Sequence, residues 1–379
     1  MTFMRQNYYS LNWSDATEKF VRKALVFGNL KFTVSDDSKF DIPWVSIGSG
    51  LDKIVINSGV HGIEGFFGSA AQSLFLSEVA PKLSAEFLKK YTLVLIHVIN
   101  GWGMENRMRE VPDPDGGLVD LNRNFGIDFS NPSNLPKNDK YGQAHKILLS
   151  MPHVRKGEKT KMHKLLEFRR NHLHDGVWDS IMRGQYGEPY GLAYGGATDM
   201  PENKMTMHIY DEIMQDAKSL ISIGLHTGLG RFYKKMGAAT LCLQVSHPSD
   251  HPNTVKFKEI FQDSLQIAAD ENAVYSPSLL GDLVDCLELR YADKNIPIYT
   301  ADLEIGTGQW PIRSQVLKRM DMGDARYDLL NYGEINSITR RNLTESWYPS
   351  DIGWRRGALQ NAKIFFAKLT DYLENKART

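Results

Sequence analysis

Five short runs of the chain are rich in Val, Ile and Leu with almost no polar alternation: residues 53–56, 92–99, 220–225, 240–245 and 296–303. Such runs suit strands buried on both faces. Between them the spacing changes. Over 65–79, Phe67, Ala70, Ala71, Leu74 and Phe75 fall on one side of a helix, and over 257–269 Phe257, Phe261, Leu265 and Ala268 recur at similar spacing. Strand and helix thus alternate, which predicts an α/β fold with helices on both faces of a mainly parallel sheet. Near the end, 357–372 carries Leu359, Ala362, Phe366 and Leu369 at helical spacing and is expected to pack back on the sheet.

The stretch 126–203 breaks this rhythm, with many charges, Gly and Pro and only short helical patterns such as 161–170. It reads as an insertion, at about 127–205, covering one edge or mouth. No repeat, low-complexity tract or long linker marks a boundary, so a single domain over 1–379 is the simpler expectation.

Composition narrows the function classes. Of 379 residues, 42% are hydrophobic, 24% charged and 11% aromatic, the range of packed globular enzymes. Lys plus Arg and Asp plus Glu both total 45, so no global field attracts nucleic acid or an anionic membrane. Neither is expected as a partner. The first twenty residues lack the apolar core of a signal peptide and no run is long enough to span a bilayer, so the expected compartment is the cytoplasm. Cys242 and Cys286 stand in no CxxC or Cys/His spacing and are read as buried thiols, which leaves histidine and carboxylate as the available metal ligands.

Three strand ends carry candidate chemistry. In IVINSGVHGIEG, His61 and Glu64 sit three apart at a Gly-flanked strand-to-helix junction, where imidazole and carboxylate can turn to one zinc ion. Among eleven histidines, one such spacing is expected by chance. LISIGLHTGLG places His226 in a matching setting, either a third ligand or a strand-end histidine bonded to backbone. IPIYTADLEIGTG ends a third run in Glu304; a carboxylate there meets a cation, a metal or a proton it is meant to accept, or else bonds local backbone. Three ligands and an open position would leave Glu304 as general base. ENRMRE and DLNRNF add Arg107, Arg109, Asn122 and Arg123, groups able to grip a carboxylate or stabilise an oxyanion, or to remain surface charges. His247 and His251 in HPSDHP are set aside because the prolines oppose a helix, and DPDGG, 113–117, reads as a turn rather than a calcium loop.

HGIEG, DLNRNF, GLHTG and LEIGTG, in that order, resemble the zinc carboxypeptidase superfamily, the carboxypeptidase A-like metallopeptidases. RGQYGEPYGLAYGG and SWYPSDIGW are similar to a bacterial branch described as a domain of unknown function, extending the resemblance over nearly the whole chain. The resemblance implies a three-layer α/β/α domain with a twisted mixed sheet, and one zinc ion held by His61, Glu64 and His226. It makes Glu304 the base that activates water, Asn122 and Arg123 the pair that binds a substrate carboxylate, and an upstream arginine the oxyanion stabiliser. Arg107 fits that last role by local pattern, with Arg109 the alternative. The mobile tyrosine of the carboxypeptidases has no match, and neither Tyr291 nor Tyr299 is assigned. The implied activity is removal of a C-terminal residue from a peptide. The alternatives are an N-acyl amino acid amidohydrolase, resembling aspartoacylase and succinylglutamate desuccinylase, and a non-catalytic carboxylate-binding protein.

Overall fold

The computed structural model describes residues 8–150, 159–262, 266–268 and 279–378. Eight strands form one twisted sheet: β1 Leu30–Thr33, β2 Ile42–Gly48, β3 Asp52–Ser58, β4 Tyr91–Ile96, β5 Ser219–Thr227, β6 Leu241–Gln244, β7 Gln266–Ala268 and β8 Ile298–Ile305. Their order is β1-β2-β4-β3-β5-β8-β6-β7. The middle pairs β4/β3, β3/β5 and β5/β8 are parallel; β1/β2, β2/β4 and β8/β6 are antiparallel and β6/β7 parallel, so the sheet is mixed.

Alternation along the strands divides the core in two. On β3, Ile54 and Ile56 join one apolar cluster and Val55 the other, while on β4 Leu93 and Leu95 part in the same way from Val94 and Ile96. Successive side chains of a strand point to opposite faces, so an uninterrupted apolar run serves two layers. One layer is built on the helices Trp13–Ala24, Gly65–Leu74 and Ile352–Arg378, through Phe20, Phe67 and Phe366. The other uses Pro201–Ile213 and Leu283–Arg290, through Ile209, Tyr210 and Leu287. The result is the three-layer α/β/α arrangement. Among the described residues no helix is long and apolar enough to cross a membrane.

All five expected strands are present, and the sheet adds β1, β2 and β7. The helix expected over 257–269 is corrected: it runs Pro252–Phe261 and stops at Gln262, whose φ is +49°, and 266–268 pair instead as β7. Leu265 lies outside the described residues. Over 65–79 the α-helix ends at Leu74 and a π turn, Phe75–Val79, completes it. Among the described residues, the stretch 127–205 holds the α-helices Gly142–Leu148, Lys161–Asn171 and Val177–Arg183 and the start of Pro201–Ile213; residues 151–158 lie outside the described residues. Cys286 is buried as expected, whereas Cys242 on β6 is only half-buried.

Candidate metal centre

The centre forms where β3, β5 and β8 end together, at the carboxyl edge of the parallel part of the sheet, the usual place for a ligand site in such folds. After β3 the chain turns at His61 into the short helical turn Gly62–Glu64. There the Gly62 N–H donates to the Arg109 carbonyl at 3.0 Å and the Ile63 N–H to Met108 at 2.8 Å. A Cβ at position 62 would lie 2.3 Å from the Gly103 backbone, so glycine allows this close approach. The two segments holding His61 and Arg109 are thereby locked together.

His226 is the penultimate residue of β5, Glu304 that of β8, and the two are direct register partners. Glu64 bridges the histidines: Oε1 lies 2.9 Å from His61 Nδ1 and Oε2 3.2 Å from His226 Nδ1. The Thr227 N–H also donates to Oε2 at 2.8 Å, leaving Oε1 buried without a hydrogen-bond partner. All three side chains are buried, and one donor atom from each lies within 4.8 Å of the others. A buried carboxylate with an imidazole nitrogen against each of its oxygens fits a divalent ion, and His₂Glu is a donor set of catalytic zinc sites. The centre is therefore a buried metal-binding triad of the kind catalytic zinc enzymes use.

A second layer of side chains orients the first. His61 Nε2 meets Asp120 Oδ1 at 3.1 Å, and the other Asp120 oxygen accepts from Arg109 Nη1. The Asn122 N–H donates to Asp120 Oδ1 at 3.0 Å. On the other histidine, Nε2 lies 3.5 Å from Asp302 Oδ1. Asp302 shares the face of Glu304 two residues on, and Gly224 opposite it makes room, since a Cβ there would lie 2.4 Å from Oδ1. Carboxylates on the far side of ligand histidines fix the tautomer that presents the near nitrogen to the metal.

The electrostatics follow from burial among acids. Burial alone would lower the His226 pKa, but Asp302, Glu64 and Glu304 outweigh it and push His226 up to about 10. Burial, reinforced by Glu64 and Asp302, raises Glu304 to about 8 although His226 opposes the shift and the Leu229 N–H donates to its Oε2 at 3.1 Å. Three carboxylates thus crowd one imidazole, an arrangement a bound cation relieves. Burial also works against the Arg109 charge, but Asp120, Glu110 and Glu64 more than compensate and hold it protonated.

Around the triad lies a cavity of about 130 Å³. Of the residues expected from the sequence, His61, Glu64, Arg109, Asn122, Arg123, His226 and Glu304 line it. Arg107, expected from the sequence as the oxyanion arginine, does not line it. Arg107 adopts a left-handed conformation, φ +55°, at the end of the helix Gly101–Asn106, which turns its side chain onto Phe66 while Arg109 enters the site. Arg109 Nε lies 3.7 Å from Glu64 Oε1 and its guanidinium covers the Trp347 ring at 5.0 Å. Arg123 spends its guanidinium on backbone, donating to the Met182 carbonyl from Nη2 at 2.6 Å. Tyr291 and Tyr299 do not line the cavity; the Tyr291 hydroxyl is bonded to Asp211.

Several lining residues were invisible to motif reading. Trp178 and Met182 come from the inserted helices, Lys318 and Arg319 from the helix Pro311–Tyr332, and Trp347 from the next one. Lys318 donates to the Gly228 carbonyl at 2.8 Å and to Thr307 Oγ1 at 2.9 Å, and burial lowers it to about 8. Asp120 had a signal, being a carboxylate two residues before Asn122 in an apolar setting. His247 and His251 stack at 3.9 Å with His247 bonded to Glu288, and they join no metal-ligand grouping among the described residues.

A family model described as a protein of unknown function, DUF2817, matches residues 32–361. Among solved structures, bovine thrombin-activatable fibrinolysis inhibitor in complex with tick carboxypeptidase inhibitor is 12% identical. That match covers 97% of this chain and 98% of the other at a TM-score of 0.52, which shows a shared fold. The carboxypeptidase A of Helicoverpa armigera is 13% identical over 88% of this chain and 77% of its own, with a TM-score of 0.46. No curated protein matches the chain. The carboxypeptidase-like fold and the His–Glu–His triad together support a zinc metallohydrolase.

Proposed function

This chain belongs to the DUF2817 family of proteins of unknown function, and we propose that it is a zinc metallocarboxypeptidase whose base is Glu304. The reading rests chiefly on one observation: a buried carboxylate stands in register beside the metal ligand His226, inside a cavity that also holds Arg109, Asn122 and Arg123. His61, Glu64 and His226 would hold the ion, which supplies Lewis acidity and a lowered pKa for water when bound.

The remaining work falls to the chain's own side chains. Glu304 accepts the proton of the attacking water and returns it to the leaving amine, a task suited to a buried carboxylate beside the metal ligands. Arg109, fixed by Asp120 and kept charged, offers its guanidinium to the oxyanion. Arg123 and Asn122 receive the terminal carboxylate of the substrate, Arg123 exchanging the Met182 carbonyl for it. Trp178, Trp347 and Met322 exclude water from the cleft.

A panel of short peptides and N-acyl amino acids, incubated with the zinc-loaded protein and read by mass spectrometry, tests the reading. Stepwise release of single C-terminal residues, stopped by a chelator and restored by zinc, is the expected result. Hydrolysis of the N-acyl amino acids alone would replace it with an amidohydrolase, and no turnover of either would leave a carboxylate-binding protein.

A further inference from the structure

Arg107, displaced from the metal cavity, lines a second one of about 460 Å³ together with Arg340, Arg341 and Arg355. The four arrive from three separate elements. Arg107 ends the helix Gly101–Asn106, Arg340 and Arg341 lie on Ser337–Trp347, and Arg355 sits in the first turn of Ile352–Arg378. The two cavities meet back to back, because Trp347 lines the first and its neighbour Tyr348 the second.

Among the described residues, none of the four is paired with a carboxylate. The Arg107 guanidinium lies over Phe66 at 5.1 Å and donates to the Leu11 carbonyl at 3.2 Å, and Arg340 donates to the Asn106 carbonyl. Arg355 stacks on Tyr348 at 4.7 Å and on Tyr9 at 5.6 Å, and its Nε is buried without a hydrogen-bond partner. Among the described residues the arginines that make ion pairs are Arg109, Arg290 and Arg326. Glu345, the acidic residue lining the cavity, accepts from the Ser350 N–H at 3.1 Å.

Four guanidiniums around one space repel one another, and in a chain of zero net charge nothing global requires such a cluster. Aromatic faces and backbone carbonyls position Arg107, Arg340 and Arg355. Planar forks of donors match tetrahedral oxyanions with several acceptor oxygens, and a dianion offsets more of the repulsion than a single carboxylate does. Ser337 and Ser350 add hydroxyls at the rim. We propose that this cavity binds the phosphoryl group of a small molecule, at a site separate from the metal centre.

Calorimetric titration of the zinc-loaded protein with inorganic phosphate, glycerol phosphate and citrate tests it. Saturable binding of either phosphate compound is expected, weakened at least about tenfold in Arg341→Gln, an exposed position whose loss leaves the fold intact. Arg356→Gln, exposed and outside the cavity, should bind as the parent does. Tighter binding of glycerol phosphate than of phosphate would identify an organic phosphate as the occupant; equal binding would identify the ion itself. Absence of saturable binding, unchanged affinity in Arg341→Gln, or binding of citrate alone would overturn the proposal.

Discussion

His226 and Glu304 face each other across the parallel β5/β8 pair as register partners, so a metal ligand and the proposed base are spaced by the sheet rather than by loops. A one-residue slip of either strand would turn its side chain to the opposite face, away from the other. Glu304→Gln keeps the volume and removes the base: zinc content should stay at one per chain while kcat falls by about 10² or more. Metal analysis beside a peptidase assay checks this, and a near-parental rate removes Glu304 from the role.

His226→Ala should instead empty the centre. Zinc stoichiometry after dialysis is expected to drop to near zero, because His61 and Glu64 alone leave the ion two protein ligands. Asp120→Asn should act more mildly, weakening zinc by about 10- to 100-fold through the loss of its hold on His61. Competition against a chromogenic chelator measures both.

The two arginines separate by kinetics. Arg109→Lys retains the charge but not the planar fork shared between Asp120 and the cavity, and kcat should fall by about 10²-fold or more. Arg107→Ala should leave kcat/KM near the parental value. The reverse pattern would return the oxyanion role to Arg107.

His97 predicts a pH dependence remote from the centre. Its ring is fully buried on β4's exit, stacked on Phe20 at 4.5 Å with Nε2 bonded to Ser69, and burial lowers its pKa from 6.5 to about 3. The unfolded chain therefore binds a proton that the native chain refuses, and stability falls as pH drops from 6.5 towards 3. At about 1.4 kcal/mol per unit, this group costs about 2 kcal/mol near pH 5. Urea unfolding near neutrality and near pH 5 should show a smaller acid loss in His97→Gln than in the parent. An identical loss would show that the ring is not the cause.

Gly224→Ala should strain the centre from behind. The added methyl would sit 2.4 Å from Asp302 Oδ1 and 3.2 Å from His226 Nε2, at an overpacking cost of about 1–3 kcal/mol. Weaker zinc binding with a lowered Tm is the expected pair of readouts; normal values of both would mean that Asp302 moves aside without consequence.

What sequence reading could reach depended on how local each signal was. His61, Glu64, His226 and Glu304 each stood at the end of an apolar run beside glycines, and strand ends converge in such sheets, so their meeting was foreseeable. The choice between Arg107 and Arg109 was not, since it hangs on a left-handed backbone at a non-glycine residue. Lys318, Trp178 and Trp347 were out of reach because their contact with the cavity depends on how distant helices pack. The helix misread over 257–269 failed for a related reason. Apolar spacing continued past Phe261, but the backbone turns at Gln262 and a three-residue strand pairs with β6.

Asp120 touches His61, Arg109 and the Asn122 N–H at once. The metal ligand His61 and the residues proposed for charge stabilisation and substrate anchoring therefore share one carboxylate, and substitutions at these positions should not add: double mutants within the group should lose less than the sum of the single losses. For anyone redesigning this cleft, the four residues form one block to be exchanged together.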